Sequence, residues 1–399
     1  MQAPKRFSGL PEYAFPRLRA LLDGHAPGGE VLHMSIGEPK HPMPAFLRDV
    51  LTENIHSFAK YPANNGTEAL LTAISNWLEH RFEVALDPDK NIMALNGTRE
   101  GLFNAVLANC PEQKNARPAN VLMPNPFYQA YAVGAAAAGA QAHFVNAVAE
   151  NHFLPDYAGL PAPILKDTAL LFVCSPSNPQ GAIADTTYYA ELLRLAEKHD
   201  FLIFADECYS EIYQGDPPPG LLQVATREGA DLNRVLVFHS LSKRSNMPGL
   251  RSGFVAGGEA LIAQMKQLRA YSGAPLPEPL QAVAAAAWAD EDHVVENRNL
   301  YQRKYKIAQS IFADQPDVMI PQAGFFLWLP VADGQDAALR LWTQTGLRVL
   351  PGAYLSRRVD DVDPGAAYIR VAMVADERDV RQGLTALKEC LYKGAHSGL

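Results

Sequence analysis

Hydrophobic residues in the first two thirds of the chain occur in short uninterrupted runs, separated by stretches with helical spacing of apolar and polar positions. Apolar runs of this length, bounded by polar or turn residues, are typical of strands that are buried on both faces. The predicted strands cover residues 92–95, 120–123, 142–145, 170–174, 202–205, 235–238 and 253–256. Helix-like segments such as 187–199 lie between most of them.

This alternation predicts an α/β fold, a three-layer sandwich whose mostly parallel central sheet carries helices on both faces. After about residue 290 the pattern changes to a long polar helix, at 296–312, and separate apolar runs near 324–329 and 367–372. We expect a smaller α+β domain there. The predicted division is an N-terminal arm and part of the small domain at 1–44, a large cofactor-binding domain at 45–285, and a C-terminal small domain at 286–399.

Composition narrows the class of protein. The chain has 399 residues, of which 48% are hydrophobic and 20% charged, with a net charge of -8, which argues against nucleic acid as the main partner. The four cysteines are scattered without the spacing of a metal site, so we expect reduced thiols and no metal. No apolar run reaches transmembrane length and no signal peptide is evident, so a cytoplasmic protein without a membrane partner is expected.

The first candidate chemistry lies just after the predicted strand at 235–238. Ser240 and Ser242 precede Lys243, and Arg251 follows eight residues later. A buried ammonium group costs free energy unless the lysine is paired or neutral, and a Schiff base with an aldehyde makes it neutral. Hydroxyls and an arginine beside such a lysine indicate pyridoxal phosphate, because these groups are suited to bind its phosphate.

A carboxylate ends another predicted strand. Asp206 follows the apolar run 201–205, and Tyr209 comes three residues later. A carboxylate there is suited to keep a pyridine nitrogen protonated, which makes the ring an electron sink, and Tyr209 is spaced to reach the phenolic oxygen of that ring. The alternative is that Asp206 only caps the following segment.

Two further side chains are candidates for binding the ring oxygen or a substrate carboxylate. Asn178 lies between two prolines in a rigid turn after the strand at 170–174, and the alternative is a plain turn. Arg370 lies in the alternating apolar run 368–372. A guanidinium at such a position is suited to bind a carboxylate through two hydrogen bonds, and the alternative is an internal salt bridge to Asp or Glu.

The remaining candidates follow the strands at 92–95 and 120–123. Thr98 and Arg99 begin a predicted helix after Gly97. Backbone N–H groups at a helix N-terminus are suited to bind phosphate. The alternative is an ordinary turn, because many strand-to-helix turns contain Gly and Thr. Tyr128 is the candidate to stack on a flat ring, with Phe127 as a close alternative, and either residue is equally typical of a core aromatic.

Taken together, the motifs resemble those of the fold type I pyridoxal phosphate aminotransferases, class I/II, of the aspartate aminotransferase superfamily. The resemblance covers residues from about 30 to 390. Five motifs stand in the family's order: Asn96-Gly-Thr-Arg99, Pro126-Phe-Tyr128, Ser177-Asn-Pro-x-Gly181, Asp206-x-x-Tyr209, and Ser240-x-Ser-Lys243 with Arg251. The resemblance therefore implies an enzyme that moves an amino group between small-molecule amino acid and 2-oxo acid substrates.

The resemblance also implies a role for each residue. Lys243 binds the cofactor aldehyde and moves a proton, Asp206 pairs with the pyridine nitrogen, and Tyr128 stacks on the ring. Contacts to the ring oxygen fall to Asn178 and Tyr209. The implied phosphate ligands are Thr98, Arg99, Ser240, Ser242 and Arg251, and the implied substrate ligands are Gly37, Asn178 and Arg370. Tyr61 corresponds to a tyrosine that reaches the phosphate of the neighbouring subunit, which implies a homodimer with shared active sites.

The residues after the lysine carry a narrower resemblance. Arg244-Ser-Asn246, together with the phrases at 125–131, 206–213 and 348–354, is similar to the bacterial succinyldiaminopimelate transaminases. These enzymes exchange an amino group between N-succinyl-LL-2,6-diaminopimelate and 2-oxoglutarate in lysine and cell-wall biosynthesis. Such a substrate has several carboxylates, so an additional basic residue is expected in the pocket. Arg17, Arg19 and Lys40 are candidates, although a solvated surface charge is the favoured interpretation for each of them.

Several alternatives remain at this point. The same residues serve aminotransferases for aspartate, alanine or N-acetylornithine, and also pyridoxal phosphate lyases, decarboxylases and acylating synthases, since fold does not decide reaction type. A nonenzymatic aminotransferase-like ligand domain of a transcription regulator is disfavoured, because only about 30 residues precede Val31. An NAD oxidoreductase is disfavoured because no Gly-x-Gly-x-x-Gly follows a predicted strand.

Overall fold

The computed structural model describes residues 5–10 and 12–392. In chain order the strands are Leu32–His33 (β1), Ile92–Leu95 (β2), Gln113–Lys114 (β3), Arg117–Pro118 (β4), Asn120–Asn125 (β5), Gln141–Asn146 (β6), Thr168–Cys174 (β7), Leu202–Asp206 (β8), Val235–Ser240 (β9), Gly253–Gly257 (β10), Phe326–Pro330 (β11), Leu347–Arg348 (β12), Leu350–Pro351 (β13) and Tyr368–Ala372 (β14). The helices are Ala14–Leu22 (α1), Leu47–Asn54 (α2), Glu68–Phe82 (α3), Pro88–Asn91 (α4), Thr98–Asn109 (α5), Gln129–Ala137 (α6), Ala162–Asp167 (α7), Thr186–His199 (α8), Leu221–Glu228 (α9), Leu241–Arg244 (α10), Glu259–Arg269 (α11), Glu278–Ala289 (α12), Asp292–Ile311 (α13), Gly334–Thr345 (α14) and Glu377–Leu391 (α15).

Seven strands form the central sheet in the order β2-β10-β9-β8-β7-β5-β6. The run from β9 to β6 is parallel, and β10 is antiparallel to both of its neighbours. Every residue of β2, β5, β9 and β10 is buried, which explains why these strands appear in the sequence as uninterrupted apolar runs. The predicted α/β sandwich is therefore confirmed.

Helices cover both faces of this sheet. On one face α3, α8, α9 and α12 contribute to an apolar core that includes Trp77 and Trp288. On the other face α5, α6 and α11 form a second core around Tyr131 and Phe172. Within the described residues, no helix is long and apolar enough to cross a membrane.

The C-terminal part of the chain builds a smaller α+β unit. Strands β11, β14 and β13 form an antiparallel sheet, and α13, α14 and α15 contribute to its core. The N-terminal segment joins this unit, because β1 pairs in parallel with β12 and the N–H of Ala372 donates to the Met34 carbonyl at 2.7 Å. The domain boundaries at residues 44 and 285 remain a prediction.

The elements differ from the sequence-based expectation mainly at their ends. Strands β8 and β9 continue to Asp206 and Ser240, so these polar residues end the strands rather than follow them. The alanine-rich stretch 132–142 is divided between a helix and a strand. Helix α6 ends at Ala137, Gly139 adopts a φ of 76°, and β6 begins at Gln141. A run of alanines does not mark this turn, because alanine is compatible with all three conformations.

Candidate active site

The motifs at the carboxyl ends of β2, β5, β7, β8 and β9 meet at one cavity of about 400 Å³. Side chains at these positions share one edge of the sheet, where parallel α/β folds place their ligands. The cavity is lined by the following predicted site residues: Gly37, Thr98, Arg99, Tyr128, Asn178, Asp206, Tyr209, Ser240, Ser242, Lys243, Arg251 and Arg370. Tyr61 is absent from this lining and is fully exposed.

Lys243 projects from the short helix α10 into this cavity. Its ammonium donates to the carbonyl oxygen of Gly37 at 2.5 Å and lies 5.3 Å from the centre of the Phe325 ring. Burial lowers the pKa of Lys243 to about 8, because the charged form loses hydration that these partners only partly replace. A substantial neutral fraction near physiological pH makes this amine a competent nucleophile toward an aldehyde.

Asp206 is a buried carboxylate at the end of β8, with 7% of its surface exposed. Its Oδ2 accepts a hydrogen bond from the Tyr131 hydroxyl at 2.7 Å, and its Oδ1 accepts from the backbone N–H of Cys208 at 3.3 Å. The contact with the Cys208 N–H resembles the capping of the following segment, which was the alternative interpretation of Asp206. The contact with the Tyr131 hydroxyl is long-range, and it fixes the orientation of the carboxylate toward the cavity.

Arg370 enters the cavity from β14 of the smaller unit. Its Nη1 donates to Asn178 Oδ1 at 3.0 Å and its Nη2 donates to the carbonyl oxygen of Ser35 at 2.8 Å, while its Nε has no partner among the described residues. Burial lowers the pKa of Arg370 to about 10. No carboxylate of the described residues pairs with it, so the internal salt bridge is not the arrangement here. A buried guanidinium without a counter-ion is suited to bind an anionic ligand.

The opposite end of the lining is suited to bind phosphate. Gly97 adopts a φ of 80° and precedes helix α5, and a Cβ at this glycine would overlap the Arg251 guanidinium. The Ser240 hydroxyl donates to the Ser242 hydroxyl at 2.9 Å. The N–H groups at the start of α5, two hydroxyls and a guanidinium therefore converge, which is a typical set of phosphate donors.

Tyr128 and Arg99 form a pair beside this end. The Arg99 Nε donates to the Tyr128 hydroxyl at 2.8 Å, and this contact raises the pKa of Arg99. The Tyr128 ring meets the Tyr131 ring edge-on, with centroids 5.7 Å apart. The nearby Phe127 is buried in the core cluster, so between the two aromatics only Tyr128 lines the cavity.

Several lining residues were not singled out from the sequence. They are Tyr13, Phe15, Ile36, Glu38, Pro124, Tyr131, Cys174, Cys208, Pro248 and Phe326. Tyr131 had a usable signal, since it lies three residues after Tyr128 in the first turn of a helix that follows a strand end. Tyr13 and Phe15 had none, because they lie at the start of an ordinary amphipathic helix. Within residues 5–10 and 12–392, no cluster of His, Cys, Asp and Glu is arranged to hold a metal ion.

The residues considered for substrate selection lie elsewhere. Arg244 points into the core, where its guanidinium lies 4.8 Å from the Trp288 ring and pairs with the Glu291 carboxylate. Arg17, Arg19 and Lys40 are absent from the cavity lining, and Arg17 stacks over the Tyr354 ring at 3.9 Å. Arg244, which makes the sequence after Lys243 unusual, therefore contributes to packing of the core and does not line the cavity.

Comparison with known proteins agrees with this geometry. The chain is 39% identical to an aminotransferase from Neisseria meningitidis Z2491, which superimposes with a TM-score of 0.92 over 96% of this chain and 99% of that one. It is 35% identical to aminotransferase AspB from Helicobacter pylori 26695, with a TM-score of 0.88 over 98% and 99% of the two chains. An LL-diaminopimelate aminotransferase from Dehalococcoides mccartyi is 30% identical over 97% of this chain and 98% of that protein.

The family model for aminotransferase class I and II matches residues 29–387. This match spans the central sheet, the smaller unit and every cavity-lining residue except Tyr13 and Phe15. Enzymes of this family use pyridoxal phosphate and act on small-molecule amino acid and keto acid substrates. The chain therefore belongs to the class I and II aminotransferases and is a pyridoxal phosphate-dependent transaminase.

Proposed function

We propose that this enzyme transfers the amino group of N-succinyl-LL-2,6-diaminopimelate to 2-oxoglutarate. The observation that carries the proposal is the placement of two guanidinium groups on one cavity, Arg370 in its buried part and Arg99 at its exposed mouth. One is available for the α-carboxylate beside the reacting carbon, and the other for a carboxylate at the far end of a long substrate. Both compounds named here carry an α-carboxylate beside the reacting carbon and a further carboxylate at the far end.

The cavity fits pyridoxal phosphate in each of its parts. The phosphate would bind the N-terminus of α5, with Thr98, Ser240, Ser242 and Arg251 around it. Asp206 would pair with the pyridine nitrogen, and the Tyr131 hydroxyl that donates to its Oδ2 would hold it in place. When bound through its aldehyde, the cofactor supplies an electron sink for the pair of electrons that the substrate α-carbon releases.

The residues of the chain would then perform binding and proton transfer. Lys243 would supply the amine for covalent attachment. Once released, it would take the proton from the substrate α-carbon and deliver it to carbon C4′ of the cofactor, and a pKa of about 8 suits both steps near neutral pH. Asn178 accepts from Arg370 through Oδ1, which leaves its Nδ2 to donate to a ring oxygen. Tyr209, buried beside Phe325 and Phe326, would donate to the same oxygen.

The α-carboxylate of the substrate would occupy the site at Arg370. The guanidinium is held by Asn178 and by the Ser35 carbonyl, so its plane is fixed before the substrate arrives. Gly37 lies two residues after Ser35, and a Cβ at this position would meet the ring of Phe326. A side chain at Gly37 would therefore displace the Phe326 ring, over which the Arg370 guanidinium lies at 4.2 Å.

The outer part of the cavity would take the far end of the substrate. Tyr13, Phe15 and Ile36 provide apolar surface there for a methylene chain, and Arg99 provides the charge. Arg99 is exposed and is oriented by the Tyr128 hydroxyl. A succinyl group ends in a carboxylate and has no positive charge, so it matches this set of side chains.

A second candidate substrate is LL-2,6-diaminopimelate itself. Curated relatives that are 27% to 30% identical over nearly the whole chain are named LL-diaminopimelate aminotransferases. Glu38 also lines the outer cavity, and a carboxylate is suited to pair with the free distal ammonium of that compound. Either substrate would assign the enzyme to diaminopimelate and lysine biosynthesis, which we expect to take place in the cytoplasm.

A homodimer with shared active sites is part of the proposal. Tyr61 is fully exposed in the single chain, and exposed apolar residues lie near it in sequence, with Ile55 58% and Phe58 53% accessible. Several exposed large apolar side chains within one short segment are consistent with an interface. In a dimer, Tyr61 would reach the phosphate in the cavity of the partner.

A half-reaction assay with a panel of amino donors tests the substrate. Loss of the visible absorbance of the lysine-bound cofactor is followed with N-succinyl-diaminopimelate, LL-diaminopimelate, N-acetylornithine, aspartate and alanine. The proposal predicts the highest second-order rate constant for the succinylated compound. A higher value for LL-diaminopimelate would support the second candidate, and a preference for aspartate or alanine would refute both.

The shared site is tested by mixing two variants of reduced activity. Tyr61→Phe and Arg370→Ala are each expected to lower activity as pure dimers. If active sites are shared, a mixture refolded together contains heterodimers with one intact site and regains activity. Failure of the mixture to exceed the sum of its components would contradict the shared arrangement.

A further inference from the structure

A polar cluster with a buried centre at Asn297 and Lys304 lies behind Lys243, outside the cavity. It consists of His41, Asn246, Asn297 and Lys304 and is called the rear cluster below. None of these side chains lines the cavity. Its members come from the segment after Gly37, the loop after Lys243 and helix α13, which are far apart in the sequence.

Lys304 is the least expected member. Only 1% of its surface is exposed, and within residues 5–10 and 12–392 no carboxylate lies within salt-bridge distance of its ammonium. Burial lowers the pKa of Lys304 to about 7, although Glu377 and Asp376 partly oppose the shift. Burying a lysine without a counter-ion costs free energy, so a purely structural position would be filled more stably by an apolar residue.

The hydrogen bonds of the rear cluster have one consistent direction. The amine of Lys304 donates to His41 Nε2 at 2.7 Å, which leaves the proton of the neutral ring on Nδ1. That Nδ1 donates to Asn297 Oδ1 at 3.2 Å. Asn297 Nδ2 in turn donates to the carbonyl oxygens of Lys243 and Arg244, both at 3.2 Å. The neutral ring is favoured, because burial and the nearby ammonium lower the pKa of His41 to about 4.

The same cluster also holds the other two segments of the active site. Lys304 donates to the carbonyl oxygen of Val374, four residues after Arg370. His41 lies four residues after Gly37, whose carbonyl accepts from the Lys243 ammonium. One chain of hydrogen bonds therefore joins the backbone that carries Lys243, the backbone that carries Arg370 and the segment that carries Gly37.

We propose that Lys304, His41 and Asn297 are positioning residues that fix the Lys243 amine relative to the Arg370 guanidinium. They touch neither substrate nor cofactor and act through the backbone of the residues that do. This inference rests on the proposed roles of Lys243 and Arg370. Lys243 must be aligned with a substrate bound at Arg370 in order to move its proton. A displacement of the lysine by a fraction of an ångström therefore lowers turnover without preventing cofactor binding.

Lys304→Met tests the proposal, since methionine has nearly the same length and removes the hydrogen bonds. We expect kcat per bound cofactor to fall about tenfold. The apparent pKa of the visible absorbance of the lysine-bound cofactor should shift by about half a unit, because its surroundings change. The urea midpoint of the cofactor-free protein should stay equal or rise, since an apolar side chain replaces a buried amine. Lys306→Met, an exposed lysine on the same helix, is the matched control and should behave as wild type.

His41→Gln is the second variant, and it decides the matter alone if Lys304→Met does not fold. It should lower kcat per bound cofactor in the same way. The double variant should lose no more activity than the more impaired single variant, because both changes break the same chain of hydrogen bonds. Wild-type turnover per bound cofactor in both variants, or losses that multiply in the double variant, would overturn the proposal. Borohydride labelling of a lysine other than Lys243 in the wild-type protein would instead refute the proposed function.

Discussion

The inner and outer parts of the cavity are built differently. The inner part (Tyr131, Asp206, Tyr209, Ser240 and Ser242) is buried and comes from strand ends and the residues just after them. The outer part (Tyr13, Ile36, Glu38 and Arg99) is exposed and comes largely from loops, helix starts and the N-terminal segment. The buried set is held by internal hydrogen bonds such as that from Tyr131 to Asp206.

This difference separates chemistry from substrate choice. Charges in the inner part act in a low dielectric and are oriented in advance, so each is worth several powers of ten in rate. Charges in the outer part are screened by water, and their contributions are correspondingly smaller. Substitutions in the inner part should therefore abolish turnover of every substrate, whereas those in the outer part should change the preference among substrates.

The largest effect is expected for Lys243→Ala. The substitution removes both the covalent attachment point and the base for the α-proton, so kcat should fall by about 10⁴-fold or more. Steady-state turnover with every donor in the panel measures the loss, and a circular dichroism spectrum matching wild type shows that the variant folds. Turnover within tenfold of wild type would remove Lys243 from its assigned role.

Asp206→Asn is expected to have the next largest effect. The amide cannot keep the pyridine nitrogen protonated, so kcat should fall by about 10²-fold to 10³-fold for all donors alike. Tyr131→Phe, which removes the hydroxyl that donates to Asp206, is the matched variant and should show a smaller loss in the same direction. A larger loss for one donor than for another would contradict the division between inner and outer parts.

The rate of cofactor capture by the cofactor-free protein should depend on pH through Lys243. The neutral amine is the reactive form, and burial lowers its pKa to about 8. The rate constant should therefore rise about tenfold per pH unit up to pH 8 and level off above it, by the definition of a pKa. Stopped-flow absorbance from pH 6 to 10 measures this profile. A rise that continues to pH 10 would indicate a lysine of ordinary pKa.

The smallest and most selective effect is expected for Arg99→Gln. Loss of an exposed guanidinium should lower kcat/KM for N-succinyl-diaminopimelate by about tenfold, since a charge-assisted hydrogen bond contributes roughly 1.5 kcal/mol at such a site. The value for alanine, which has no distal carboxylate, should stay the same. Equal losses for both donors would place Arg99 at the phosphate instead, as the family resemblance implies.

The inner part could be predicted from the sequence because its residues follow apolar runs. A parallel sheet aligns the carboxyl ends of its strands, so Asp206 at the end of β8 and Ser240 at the end of β9 must lie at the same edge of the sheet once the runs are recognised. Thr98 and Asn178 follow from the same reasoning. The α/β alternation therefore predicted both the fold and the position of these residues within it.

The outer part could not be predicted, because it depends on packing between distant segments. Tyr13 and Phe15 lie at the start of α1, whose apolar face packs Leu18 and Leu22 against Leu350. The sequence does not show that these two aromatics line the cavity instead. Arg244 shows the reverse problem. Its sequence context looked specific to a substrate, yet its side chain is buried between Trp77 and Trp288, where it contacts the core.

The measurement that tests the central claim most directly is the chemical location of the bound cofactor. The purified enzyme is reduced with borohydride, digested and analysed by mass spectrometry. The geometry of the cavity predicts a pyridoxyl group on Lys243 and no label on the buried Lys304. A pyridoxyl group on Lys304 or on any other lysine, with Lys243 unmodified, would contradict the assignment of this cavity as the active site.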